Sequence, residues 1–95
     1  MDIAKADIVI STAGRDAGKH FFVVSTEGDF VLVANGKDRK IESPKRKKLK
    51  HVRRVTRTDS QVAGKIVHGG VVLNSELRRD LARICHELIS QNQGG

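Results

Sequence analysis

The sequence predicts a mainly β domain, a small barrel of about five short antiparallel strands, followed by a C-terminal α-helix. Three observations predict it. Short β-branched runs recur through the first 58 residues, separated by turns that carry Gly, Asn or Pro. The connections between these runs are too short for a crossover helix, so neighbouring strands must run antiparallel. From residue 74 the apolar spacing changes to the three-and-four pattern of a helix.

The elements follow in order. "ADIVIST" (6–12) is apolar and β-branched and stops before a glycine, as a strand does. "HFFVVST" (20–26) is a second such run. "EGD" (27–29) supplies a glycine for a tight hairpin turn, and "FVLVAN" (30–35) is the third strand, ended by Asn35-Gly36. "RKIE" (39–42) reads as a brief fourth strand broken by Pro44, which cannot donate to a ladder. In "KLKHVRRV" (48–55), Leu49, Val52 and Val55 are interrupted by Lys50, Arg53 and Arg54, giving a fifth strand with a basic outer face. The barrel therefore spans 1–58.

Residues 59–73 form a linker in which Val62, Ile66 and Val67 fit one face of a short helix, weakened by Gly64 and ended by Gly69-Gly70. Residues 74–95 carry the C-terminal helix. Asn74 or Ser75 suits its cap, and Leu77, Leu81, Ile84, Leu88 and Ile89 form one apolar stripe. Gly94-Gly95 ends the helix or frays. The stripe has to be buried against the open end of the barrel, in a dimer, or on a protein partner.

Composition narrows the function. Ninety-five residues with 38% apolar content support one modest core. Phe21, Phe22 and Phe30 are the only aromatics, so little material remains for a deep catalytic pocket. The single cysteine, Cys85, permits no intramolecular disulfide, no apolar run reaches the roughly 20 residues that span a bilayer, and the N-terminus lacks signal-peptide features. The chain reads as soluble and cytoplasmic. The four histidines are widely spaced, so no metal site or cofactor is expected. Cys85 reads as helix-flank packing, and Asp16 and Asp38 read as turn carboxylates bonded to nearby amides.

The net charge is +7, and its distribution is uneven. Residues 1–40 carry six basic and six acidic side chains, whereas residues 41–60 carry eight basic and two acidic. A cluster on this scale is the electrostatic footprint of a polyanion binder.

The stretch "STAGRDAGKHFFVV" (11–24) tests three readings. A nucleotide-hydrolysing P-loop needs four residues between its glycines, a hydroxyl after the lysine and a following helix. Here Gly14 and Gly18 are separated by three residues, His20 follows Lys19, and a strand comes next. The four-stranded RNA-recognition sheet needs a Gly-aromatic pattern and crossover helices, and neither is present. The third reading fits. Strand, "AGRDAGK", strand resembles the KOW motif of ribosomal and transcription-factor proteins, although Phe21 stands where many such motifs have another glycine. Over residues 6–58, with "DFVLVANGKDRKIESPKRKKLKHVRRVTRT", the chain looks like KOW-containing large-subunit ribosomal proteins and still more like small bacterial KOW-domain RNA-binding proteins. "NSELRRDL" resembles a short helix of those bacterial relatives. The resemblance implies an SH3-like barrel that binds RNA.

The residues expected to contact RNA are Gly14, Arg15, Gly18 and Lys19 in the loop, Lys45, Arg46, Lys47 and Lys48 in a mobile basic loop, and Lys50, Arg53 and Arg54 on the last strand. The glycines open the backbone, and the cations supply phosphate contacts with little sequence specificity. Arg46 and Arg54 carry the planar fork suited to bidentate contacts. Phe21 and Phe22 must point to opposite faces, so one lies in the core while the other is exposed, covered by the helix, or a stacking surface. Scarce aromatics favour structured RNA, with ribosomal RNA as the expected partner and no catalytic residues. The alternative is a protein-interaction module of the transcription-elongation type, docking through the barrel or the helix.

Overall fold

The computed structural model describes residues 3–93; the Gly94-Gly95 end lies outside the described residues. The strands are β1 (Ile8–Ser11), β2 (His20–Glu27), β3 (Phe30–Ala34), β4 (Lys45–Lys48) and β5 (Val52–Thr56), with a 3₁₀ turn at Leu49–His51. The helices are α1 (Gln61–His68) and α2 (Asn74–Gln93). All strands pair antiparallel in one sheet of order β4-β3-β2-β1-β5. This is the mainly β, barrel-like class expected, with a C-terminal helix.

The register explains the apolar pattern. Ile8 pairs with Phe22, and Phe22 with Ala34; Val9 pairs with Phe21, and Val23 with Val33. Paired residues share a face, so alternate positions build two separate cores. Val9, Phe21, Val23, Val31, Val33 and Val52 fill the inside of the bent sheet. Ile8, Phe22 and Ala34 lie on the other face, beneath Val62, Ala63 and Ile66 of α1 and Leu77, Leu81 and Ile84 of α2. Phe21 and Phe22 are both fully buried, each contributing roughly 1.5–3 kcal/mol. The expectation of a single core is corrected: the helices lie across the outer face of the sheet and give Phe22 a core of its own. Of the helix stripe, Leu77, Leu81 and Ile84 are buried and Leu88 packs against the cluster, while Ile89 is exposed. In α1 the inward side is Val62, Ala63 and Ile66; Val67 points outward.

The ends of the helices follow local chemistry. The Ser60 hydroxyl accepts from the Ala63 N–H and donates to Asp80, and Gly69 closes α1 at φ +74°. The cap expected from Asn74 or Ser75 is not used. The Leu73 backbone holds the start of α2 instead: its carbonyl accepts from Glu76 and Leu77, and its N–H donates to the Glu76 carboxylate. The Asn74 side chain accepts from the Ile41 N–H and donates to Glu42. It ties the 36–44 turn to α2.

That turn replaces the strand expected at 39–42. The Asn35 side-chain oxygen accepts from the Lys37 and Arg39 N–H groups, and the Arg39 carbonyl accepts from Asn35 and Gly36. With these groups bonded within the turn, the segment does not join the sheet. Gly36 (φ +78°) sits against α2 so closely that an added Cβ would lie 2.2 Å from the Asn74 carbonyl oxygen. Pro44 then precedes a strand rather than ending one. The "KRKK" segment, expected as a mobile loop, is strand β4, which pairs Lys45 with Val33 and Lys48 with Phe30. A basic edge strand is stable because the Lys45, Arg46 and Lys48 side chains reach water and deter further pairing. The fifth strand is shorter than expected, since 49–51 form the 3₁₀ turn.

Candidate nucleic-acid interface

Two groups of basic residues lie around the β1–β2 loop, β4 and β5. In the first, acids hold the cations in place. Asp16 in the β1–β2 loop is buried, with Arg39 at 3.1 Å, Lys47 at 3.5 Å and Lys19 at 3.9 Å. Burial pushes the Asp16 carboxyl up, but the Arg39 hydrogen bond and charge, with those of Lys47, outweigh it and hold the carboxyl below its ordinary value. Lys47 alternates inward on β4, opposite Val31, and its side chain is only 9% exposed. It is therefore not positioned as a phosphate contact; it fastens the loop to β4. Lys19 is drawn to Asp38 at 3.0 Å, and this lysine's hydrogen bond is the main cause lowering the Asp38 carboxyl. The two aspartates, expected to bond turn amides, bind cations instead. Arg57 grips fully buried Asp7 through Nε at 2.8 Å and Nη2 at 3.1 Å, joining the segment after β5 to the segment before β1.

In the second group, Arg15, Lys45, Lys48, Lys50 and Arg53 are exposed and make no ion pair among the described residues. Three of them surround the 3₁₀ turn: Lys48 before it, Lys50 within it and Arg53 just after it. The loop bearing Arg15 meets the same turn, because the Thr12 N–H donates to the His51 carbonyl at 2.9 Å. Gly14 (φ +75°) and Gly18 (φ +88°) shape that loop, and an added Cβ at either would meet nothing within 4 Å. The open backbone and the basic strand expected to adjoin do adjoin.

Arg46 stands between the groups. Its guanidinium carbon lies 3.7 Å from the Phe30 ring centroid, and Nε is 3.4 Å from Glu27. Arg54, exposed on β5, pairs with Val9 of β1, whereas its neighbour Arg53 pairs with Ile10. The Leu49 N–H donates to the Asp29 carbonyl at 2.7 Å, fixing the 3₁₀ turn against the β2–β3 hairpin. Between them lies a groove of about 520 Å³ lined by Asp29, Phe30, Lys48, Leu49 and Lys50.

No protein-family profile matches this chain, and no curated protein matches it.

The surface that remains is a set of unneutralised cations on rigid backbone, suited to several simultaneous phosphate contacts. Arg39 was not among the residues expected here. No spacing rule links position 16 to 39 and 47, so their convergence appears only when the chain folds. Among the described residues there is no group of three or more His, Cys, Asp or Glu placed to hold a metal ion. Burial pushes the Cys85 thiol up, away from the thiolate a nucleophile needs. No described helix is long and apolar enough to cross a membrane.

Proposed function

We propose that this chain is a non-enzymatic, KOW-type RNA-binding module of the cytoplasm, associated with the ribosome or with translation. One observation carries the reading. Lys45, Lys48, Lys50 and Arg53, exposed and without an ion pair among the described residues, cluster on β4, the 3₁₀ turn and β5, and Arg15, equally exposed, is on the loop hydrogen-bonded to that turn. Arg39, Lys47 and Lys19 are neutralised nearby by Asp16 and Asp38. Phosphates supply affinity here, and the fixed backbone supplies fit to a folded RNA.

The test compares wild type with a Lys48→Glu/Arg53→Glu variant for binding to a folded ribosomal RNA fragment. Both positions are exposed, so the variant keeps its fold. RNA affinity should fall by more than tenfold. Unchanged affinity sinks the reading. Crosslinking in cells, followed by sequencing of the bound RNA, then names the partner; recovery of proteins without RNA would favour the protein-interaction alternative, for which Val71 and Leu73, exposed between α1 and α2, offer apolar surface.

A further inference from the structure

Phe30 differs from the other two aromatics. Phe21 and Phe22 are fully buried, whereas Phe30 is only partly buried and lines an open groove. The groove's volume of about 520 Å³ falls in the range of small-ligand clefts, roughly 300–1,000 Å³. Its walls are the Phe30 ring and the Leu49 side chain, with Lys48 and Lys50 on either side of Leu49 in the chain. The Arg46 guanidinium lies over the ring, 3.7 Å from its centroid. Its contact to Glu27 is between side chains each at least half exposed, so it is weak and holds Arg46 only loosely. Asp29 also lines the groove, where its carbonyl accepts from the Leu49 N–H.

We propose that this groove is a nucleobase site: it takes one unpaired base of an RNA, stacked against the Phe30–Arg46 pair, while Lys48 and Lys50 hold the flanking phosphates. This deepens the RNA-binding reading and rests on it. The chemistry selects a base over the alternatives. A bare phosphate in the groove would meet the apolar Phe30 and Leu49. An aliphatic protein side chain would leave Lys48 and Lys50 without partners. A base has a flat face to stack on the Phe30 ring, whose other face the Arg46 guanidinium covers. It also has a phosphate on each side for the lysines. The RNA class is therefore a folded RNA with a bulged or looped-out nucleotide, whose helix lies along the exposed cations.

The test uses the whole chain and two RNA hairpins of one sequence, one carrying a single bulged 2-aminopurine and the other fully paired. Wild type should bind the bulged hairpin about tenfold more tightly, the effect of one base–aromatic stack, and 2-aminopurine fluorescence should fall on binding. Phe30→Leu keeps apolar volume but removes the ring. It should lose the preference while its affinity for the paired hairpin stays at the wild-type level and its melting temperature shows it folded. Arg46→Lys, which keeps the charge but not the plane, should weaken the same preference. Equal binding of both hairpins by wild type overturns the base site and leaves the RNA-binding reading standing, as does a Phe30→Leu protein that keeps the preference. Binding of neither hairpin overturns both.

Discussion

Asp16→Asn removes the one negative charge that Arg39, Lys47 and Lys19 share. Removing one partner of a buried ion pair costs about 3–5 kcal/mol, because a charge is left without compensation. Lys47 fits that case, with its side chain 9% exposed. Arg39 and Lys19 do not, with 33% and 44% of their side chains in solvent, where they rehydrate. The expected loss is therefore about 2 kcal/mol. With an unfolding entropy of about 2.1 cal/mol/K per residue, a 95-residue chain has about 200 cal/mol/K. The variant should melt about 10 °C below wild type at neutral pH, read by circular dichroism. The folded carboxyl titrates below its ordinary value of 3.8, so the folded state holds fewer protons there than the unfolded chain. Its stabilisation is full above that ordinary value and is lost as pH falls through the folded pKa. The gap between wild type and variant should close over that acid range. Adding Lys47→Met to Asp16→Asn removes the stranded charge and should recover part of the loss. A variant within about 2 °C of wild type at neutral pH, or a gap that persists in acid, would refute the role given to this cluster.

Other positions give sharp outcomes. Phe22→Ala empties the centre of the helix-covered core and should cost about 3–5 kcal/mol, read as a lower urea midpoint; a loss below about 1 kcal/mol would show that the helices do not depend on that face. Gly36→Ala must hold φ near +78° and place a Cβ against the Asn74 carbonyl. Amide exchange should quicken in the 36–44 turn and at the start of α2, with β1 and β2 unchanged. Lys48→Gln and Lys50→Gln should each lower the salt slope of RNA binding by about one, while Lys47→Gln should leave the slope alone and lower the melting temperature.

The sequence signals that survived folding were local. The strands at 8–11, 20–27 and 30–34 were legible because alternation and turn glycines act within a few residues. The Gly28 turn, with φ +59°, was legible for the same reason. The exposed Lys48, Lys50 and Arg53 were legible because charge clustering is a property of composition, and Arg15 because it lies between the two glycines of its loop. What stayed hidden was non-local. Strand β4 reads as a loop by composition, and only its pairing with β3 makes "KRKK" a strand. Asn74 reads as a helix cap, but the Ile41 N–H, 33 residues away, competes for its oxygen. Lys47 looks like its neighbours in the run, yet alternation turns it inward toward Asp16. Burial of both Phe21 and Phe22 required knowing that the helices fold back across the sheet.

The most direct measurement is the salt dependence of RNA affinity, taken by fluorescence anisotropy from low to physiological potassium chloride. Five phosphate contacts from Arg15, Lys45, Lys48, Lys50 and Arg53 predict a log–log slope of about −3.5 to −4.5. A binding constant that stays flat over that range, or the absence of any RNA binding at low salt, would contradict it.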